Sequence, residues 1–104
     1  MNVIWHSQAK EALADTARYI EQEFGSRYMV RFLREVYHAE QLICDSPNMG
    51  VLEPLLAGRS LLYRSFVINR LNKIVYYVED DTIYIADFWD TRREPRTQAD
   101  QIKK

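Results

Sequence analysis

The strongest constraint on this chain is a change in its hydrophobic period. Up to residue 45, apolar side chains recur at helical spacing: Ala9, Leu13, Ala17, Ile20 and Phe24, then Met29, Phe32, Leu33, Val36, Ala39 and Ile43. From residue 61 the period falls to two. Three runs rich in Val, Ile, Tyr and Phe follow, at 61–68, 73–79 and 82–89. Helical stripes followed by close-set strands predict a sheet with helices packed against it, the α+β class.

The punctuation fixes the order. Residues 3–5 form a short apolar run, taken as a first strand, and Ser7 is placed to cap the helix after it. Gly25 stops that helix, Ser26 can cap the next, and Asp45-Ser46-Pro47 ends it. Residues 46–59, with two prolines and two glycines, read as a loop. Asn69-Arg70-Leu71-Asn72 and Asp80-Asp81 are connections short enough only for antiparallel hairpins. The expectation is β-αα-βββ: helices at 8–23 and 27–44 form a hairpin on one face of an antiparallel sheet, in a single domain over 1–104.

Composition narrows the function. The 104 residues suit one modest core. No run approaches the ~20 apolar residues of a membrane span, and the polar N-terminus is no signal peptide, so a cytoplasmic location without membrane contact is expected. Cys44 is the only cysteine, which fits a reducing compartment and a core role. His6 and His38 lack metal-ligand spacing, and no phosphate loop or nucleophile elbow appears, so no cofactor is expected. Net charge is −1, against indiscriminate nucleic-acid binding, yet residues 59–104 hold nine basic and seven acidic side chains.

The meander assigns those charges to places. Its first turn and the end of its last strand share one end of the sheet, which puts Arg70 and Lys73 beside Arg92 and Arg93, with Asp90 and Glu94 as possible salt-bridge partners. A two-residue turn at Asp80-Asp81 pairs Tyr77 with Tyr84, Val75 with Ala86 and Lys73 with Phe88. Tyr77, Tyr84 and Phe88 are then expected on an open aromatic face, with Ile74, Tyr76, Val78, Ile83 and Ile85 buried. Asp87 would fall on the buried side unless a bulge between Ile85 and Phe88 turns it outward.

The segments VIWHSQAKEAL, YIEQEFG, SPNMG and YRSFVINRLNKIVYYVEDDTIYIADFWDTRREP, in this order, resemble the RelE/ParE family of bacterial type II toxins. The likeness covers nearly the whole chain. It implies a plasmid-stabilisation toxin encoded beside an antitoxin that masks its active face. Members of the RelE type bind the ribosome and cut mRNA; those of the ParE type poison DNA gyrase. A RelE-type catalytic site would use Arg64, Lys73 and Arg93. This chain departs from it with Phe66 in place of a second lysine, Ala99 near the place of a late tyrosine, and Asp90 where a related branch has histidine. The missing acid–base groups and the charge of −1 favour ParE-like inhibition of gyrase. In that reading Arg70, Tyr77, Tyr84, Phe88, Asp90 and Arg92 contact target or antitoxin. A ribosome-dependent mRNA endoribonuclease, or a non-toxic binding module on the same fold, is the alternative, so whether the protein is an enzyme stays open.

Overall fold

The computed structural model describes residues 1–92 and 95–102, with Pro95 and Arg96 described by backbone alone. β1 (Asn2–Trp5) leads into α1 (Ser7–Phe24) and α2 (Ser26–Asp45). β2 (Val51–Leu52), a 3-10 turn (Pro54–Leu56), β3 (Arg64–Val67), β4 (Asn72–Glu79), β5 (Thr82–Asp90) and α3 (Pro95–Asp100) follow. The predicted helices match to within about a residue at each end. Ser7 and Ser26 are the first helical residues rather than caps: no side chain caps α1 or α2. Gly25, at φ 99°, supplies the left-handed break between them.

The sheet order is β1-β5-β4-β3-β2. Its β3-β4-β5 centre is the predicted antiparallel meander, but β1 joins it parallel to β5, from Asn2–Thr82 to Trp5–Ile85. The predicted first meander strand shrinks to Arg64–Val67, and the loop before it contributes β2 at the edge. The β4–β5 turn uses Asp80 and Asp81 at φ 51° and 60°, left-handed values that aspartate tolerates.

One face of the sheet buries Ile74, Tyr76, Ile83, Ile85 and Phe88 against Ala9, Phe32, Val36, Ala39 and Ile43 of the helices. Val78, expected with them, is 40% exposed because it lies at the far end of β4. The opposite face is covered as well. Leu56, Tyr63, Val75, Tyr77, Ala86, Trp89, Ala99 and Ile102 form a second buried cluster, built from the loop before β3 and the C-terminal segment.

A bulge decides which side chain faces which cluster. Register runs regularly from Glu79–Thr82 to Tyr76–Ile85, then Val75 pairs with Asp87, leaving Ala86 as the extra residue. Ile74 therefore pairs with Phe88, and Lys73 with Trp89. The expected pairing of Lys73 with Phe88 is corrected by one residue. The bulge does turn Asp87 out of the helix-side apolar layer, to the face of Val75, but not into solvent. It is buried, accepting from Gln8 Nε2 (2.7 Å), Trp89 Nε1 (2.9 Å) and the Phe88 amide (2.8 Å).

Candidate functional site

The expected open aromatic face does not exist in the form read from sequence. Phe88 lies on the helix side, buried edge-to-face against Phe32 at 5.9 Å between centroids. Tyr77 is on the other face, yet 6% exposed, under Tyr63 and the C-terminal segment. It stacks on half-buried Tyr84 at 5.0 Å, and its hydroxyl lies 3.2 Å from His6 Nε2. Burial pushes the Tyr77 and Tyr63 hydroxyls above the usual tyrosine range. What covers this face is a segment that strand propensity could not reveal. Arg59 donates to the carbonyls of Ala99 and Ile102, and the Gln98 side chain bonds both the N–H and the C=O of Asp90 at 3.0 Å. Pro95 thus opens a helix, and that segment folds back over the sheet.

The cations divide into three places. Arg64 and Tyr76 are cross-strand partners on the helix side. The Arg64 guanidinium donates to the carbonyls of Gly50 (2.9 Å) and Asn48 (3.5 Å). Lys73, opposite Val67 and two residues from Val75, points to the other face. There its ammonium pairs with Glu53 and lies 5.2 Å over the Trp89 ring. Arg64 and Lys73 therefore occupy opposite faces of the sheet.

Glu53 was missed by the sequence reading, which saw only a loop. It is buried, and besides Lys73 it accepts the Leu55 N–H at 3.0 Å, capping the 3-10 turn. Burial alone would raise its carboxyl pKa. The hydrogen bonds from Lys73 and Leu55 and the charge of Lys73 outweigh that and hold it below the usual carboxylate range. The available signal was Glu-Pro-Leu-Leu: an acidic residue directly before a proline that opens a helical turn.

The third place is the sheet end, as expected. Arg70 sits exposed in the β3–β4 turn at φ 72°. Its carbonyl accepts from Thr91 Oγ1 at 2.7 Å, which sets Arg92 alongside. Arg92 makes a forked contact with Asp90, Nε–Oδ1 and Nη2–Oδ2 both at 3.2 Å, and these bonds push its pKa up further. Arg93 lies outside the described residues. The structure thus brings together Arg70, Asp90 and Arg92, and separates Lys73, Arg64, Tyr77 and Phe88 from them.

No helix among the described residues is long and apolar enough to cross a membrane. No curated protein matches the chain in sequence. Among solved structures it is similar to a chain of the chromosomal ParDE toxin–antitoxin system of P. aeruginosa. That similarity has a TM-score of 0.71 at 14% identity, covering 86% of this chain and 95% of the other. It is also similar to the YoeB dimer of Staphylococcus aureus, with a TM-score of 0.58 at 23% identity over 84% and 92% of the two chains. Those likenesses carry the fold. Residues 3–95 match the sequence model of the ParE toxin of the parDE type II toxin–antitoxin system, and this chain belongs to that toxin family.

Proposed function

We propose that the protein is the toxin half of a type II toxin–antitoxin module, held neutral by a cognate antitoxin, and that it acts on DNA gyrase by contact rather than catalysis. The observation that carries the reading is the separation of Arg64 from Lys73 by the thickness of the sheet. Cleaving RNA requires several groups on one phosphate, to neutralise the phosphorane and move two protons. Two cations on opposite faces cannot meet there, and Lys73 is already engaged by Glu53. Phe66 packs with the helix-side core, and Ala99 is buried under Arg59's clamp, so neither position supplies a substitute.

Arg70 and Arg92, with Arg93 beyond them, are the proposed target contacts; Tyr84 is the partly exposed member of the tyrosine stack. The antitoxin is assigned to the apolar surface that the chain leaves uncovered. A groove lined by Trp5, Leu13, Ala17, Leu33 and Tyr37 runs between the helices. Val51 and Leu52 lie 67% and 52% exposed on the edge strand.

The test is to induce the protein without antitoxin and follow an SOS reporter beside primer extension on a reporter mRNA. SOS induction with intact mRNA is the expected result. Codon-specific cleavage within minutes, lost in Lys73→Ala, would replace this reading with a ribosome-dependent nuclease; normal growth would leave a binding module.

A further inference from the structure

The outward side of α2 carries Arg27, Arg31 and Arg34. At roughly 100° per residue they form one stripe, turned away from the buried line of Phe32, Val36, Ala39 and Ile43. Arg27 and Arg34 have no carboxylate partner among the described residues. Arg31 reaches Glu35 only at 3.9 Å, with its side chain 76% exposed. All three, with Tyr28, line one shallow cleft.

The stripe continues beyond the helix. Asn69 Nδ2 donates to Glu35 at 3.5 Å, which brings the β3–β4 turn and exposed Arg70 next to the arginines of α2. The Thr91–Arg70 bond carries the line on to Arg92. Arginines of three segments, α2, the β3–β4 turn and the end of β5, thus lie along one chain of hydrogen-bonded neighbours, opposed locally by Glu35 and Asp90.

We infer that this band binds the phosphate backbone of double-stranded DNA, with Arg27, Arg34 and Arg70 as the principal contacts. This rests on the gyrase reading for its setting: the toxin would engage the enzyme together with the duplex that gyrase holds. All the cations in the band are arginines, whose planar fork matches phosphate oxygens in pairs. From Arg27 to Arg34 the helix advances about 10 Å at 1.5 Å per residue, or about three base-pair steps of duplex. A single strand would need a platform of stacked aromatic side chains. The sheet tyrosines are covered, and the exposed Tyr19, Phe24 and Tyr28 meet edge-on or tilted, at 80° and 59° between ring planes, so they form no stacked platform.

The experiment is fluorescence anisotropy of a labelled duplex with the purified full chain, between about 50 and 200 mM salt. Three to five phosphate contacts predict a slope of log Kobs on log salt of about −2.7 to −4.5, a loss of about 40- to 500-fold over that range. Arg27→Gln with Arg34→Gln flattens the slope by about 1.8. Lys10→Gln, at the other end of the helical hairpin, leaves it unchanged. The exposed positions keep the variants' circular dichroism that of the parent. Three results would overturn the inference: no binding at the lowest salt, an unaltered slope in the double variant, or equal displacement by poly-glutamate, which would mean an acidic protein partner. Gyrase is absent from this assay, so failure to inhibit supercoiling would refute the function reading without touching this one.

Discussion

The two faces of the sheet are built on different terms. The helix face is a periodic apolar layer, Ile74, Tyr76, Ile83 and Ile85 against Phe32, Val36 and Ile43, assembled from the segments of strongest pattern. The other face is aromatic and polar, and it is closed by parts with no pattern: a Pro- and Gly-containing loop and a short C-terminal helix. Hydrogen bonds join packing in holding that cover in place, through Arg59, Gln98, Glu53 and Asp87. One face defines the fold; the other decides which functional side chains remain available.

The comparison breaks first at Trp89. If the second face is a true core, Trp89→Ala costs about 3–5 kcal/mol, as much as or more than the about 2–5 kcal/mol expected for Ile85→Ala on the helix face. Urea unfolding of both variants compares them. A loss below about 1 kcal/mol for Trp89→Ala would reduce the second face to a surface cover. The joint between loop and sheet comes next. A Cβ at Gly50 would stand 2.6 Å from the Tyr76 hydroxyl, which bonds the Gly50 N–H (3.0 Å) and the Pro47 carbonyl (2.7 Å). Gly50→Ala should therefore cost about 1–3 kcal/mol by overpacking, while Gly50→Ala combined with Tyr76→Phe should lose less than the sum of the two.

These two sites also show why the sequence was half legible. Helices, the last two meander strands and the hairpin turns follow from local period and turn chemistry and agree with the structure to within about a residue, whereas the first meander strand, expected over 61–68, is only Arg64–Val67. The faces of residues 87–89 did not follow, because a single bulge at Ala86 inverts every later assignment on β5. Phe88 moved to the core and Trp89 to Lys73 for that reason alone. The burial of Tyr77 was invisible because its cover comes from residues 56, 63, 99 and 102, joined by side-chain hydrogen bonds that carry no periodic signal. The nearness of Arg70 to Arg92 was legible, since it depends on where a meander places alternate turns; the loss of Lys73 from that end was not, because Glu53 and Trp89 draw its ammonium to the second face.

Smaller effects sharpen the contrast. Arg59→Ala removes the charge-assisted bonds to the Ala99 and Ile102 carbonyls, worth about 1.5–3 kcal/mol each where fully formed. The loss should be local: faster amide exchange at 99–102 and stronger acrylamide quenching of Trp89, with α1 and α2 unchanged. Exchange rising equally in the helices would show that the two faces unfold as one.

The pH dependence is the subtlest expectation. The Glu53 carboxyl is depressed in the folded state, so its stabilisation is present above the ordinary value of 4.5 and is lost as pH falls through the folded-state value below it. Glu53→Gln should flatten that acid limb of the stability curve. An acid limb unchanged in Glu53→Gln would place the source of the loss elsewhere.

On the proposed function, the arrangement of these two faces makes a gyrase inhibitor and not a nuclease. The direct measurement is supercoiling of relaxed plasmid by purified gyrase, with the purified protein added in increasing amounts. Supercoiling should fall, and it should recover in Arg70→Ala with Arg92→Ala while Lys73→Met still inhibits. Undiminished supercoiling at saturating protein would contradict the account.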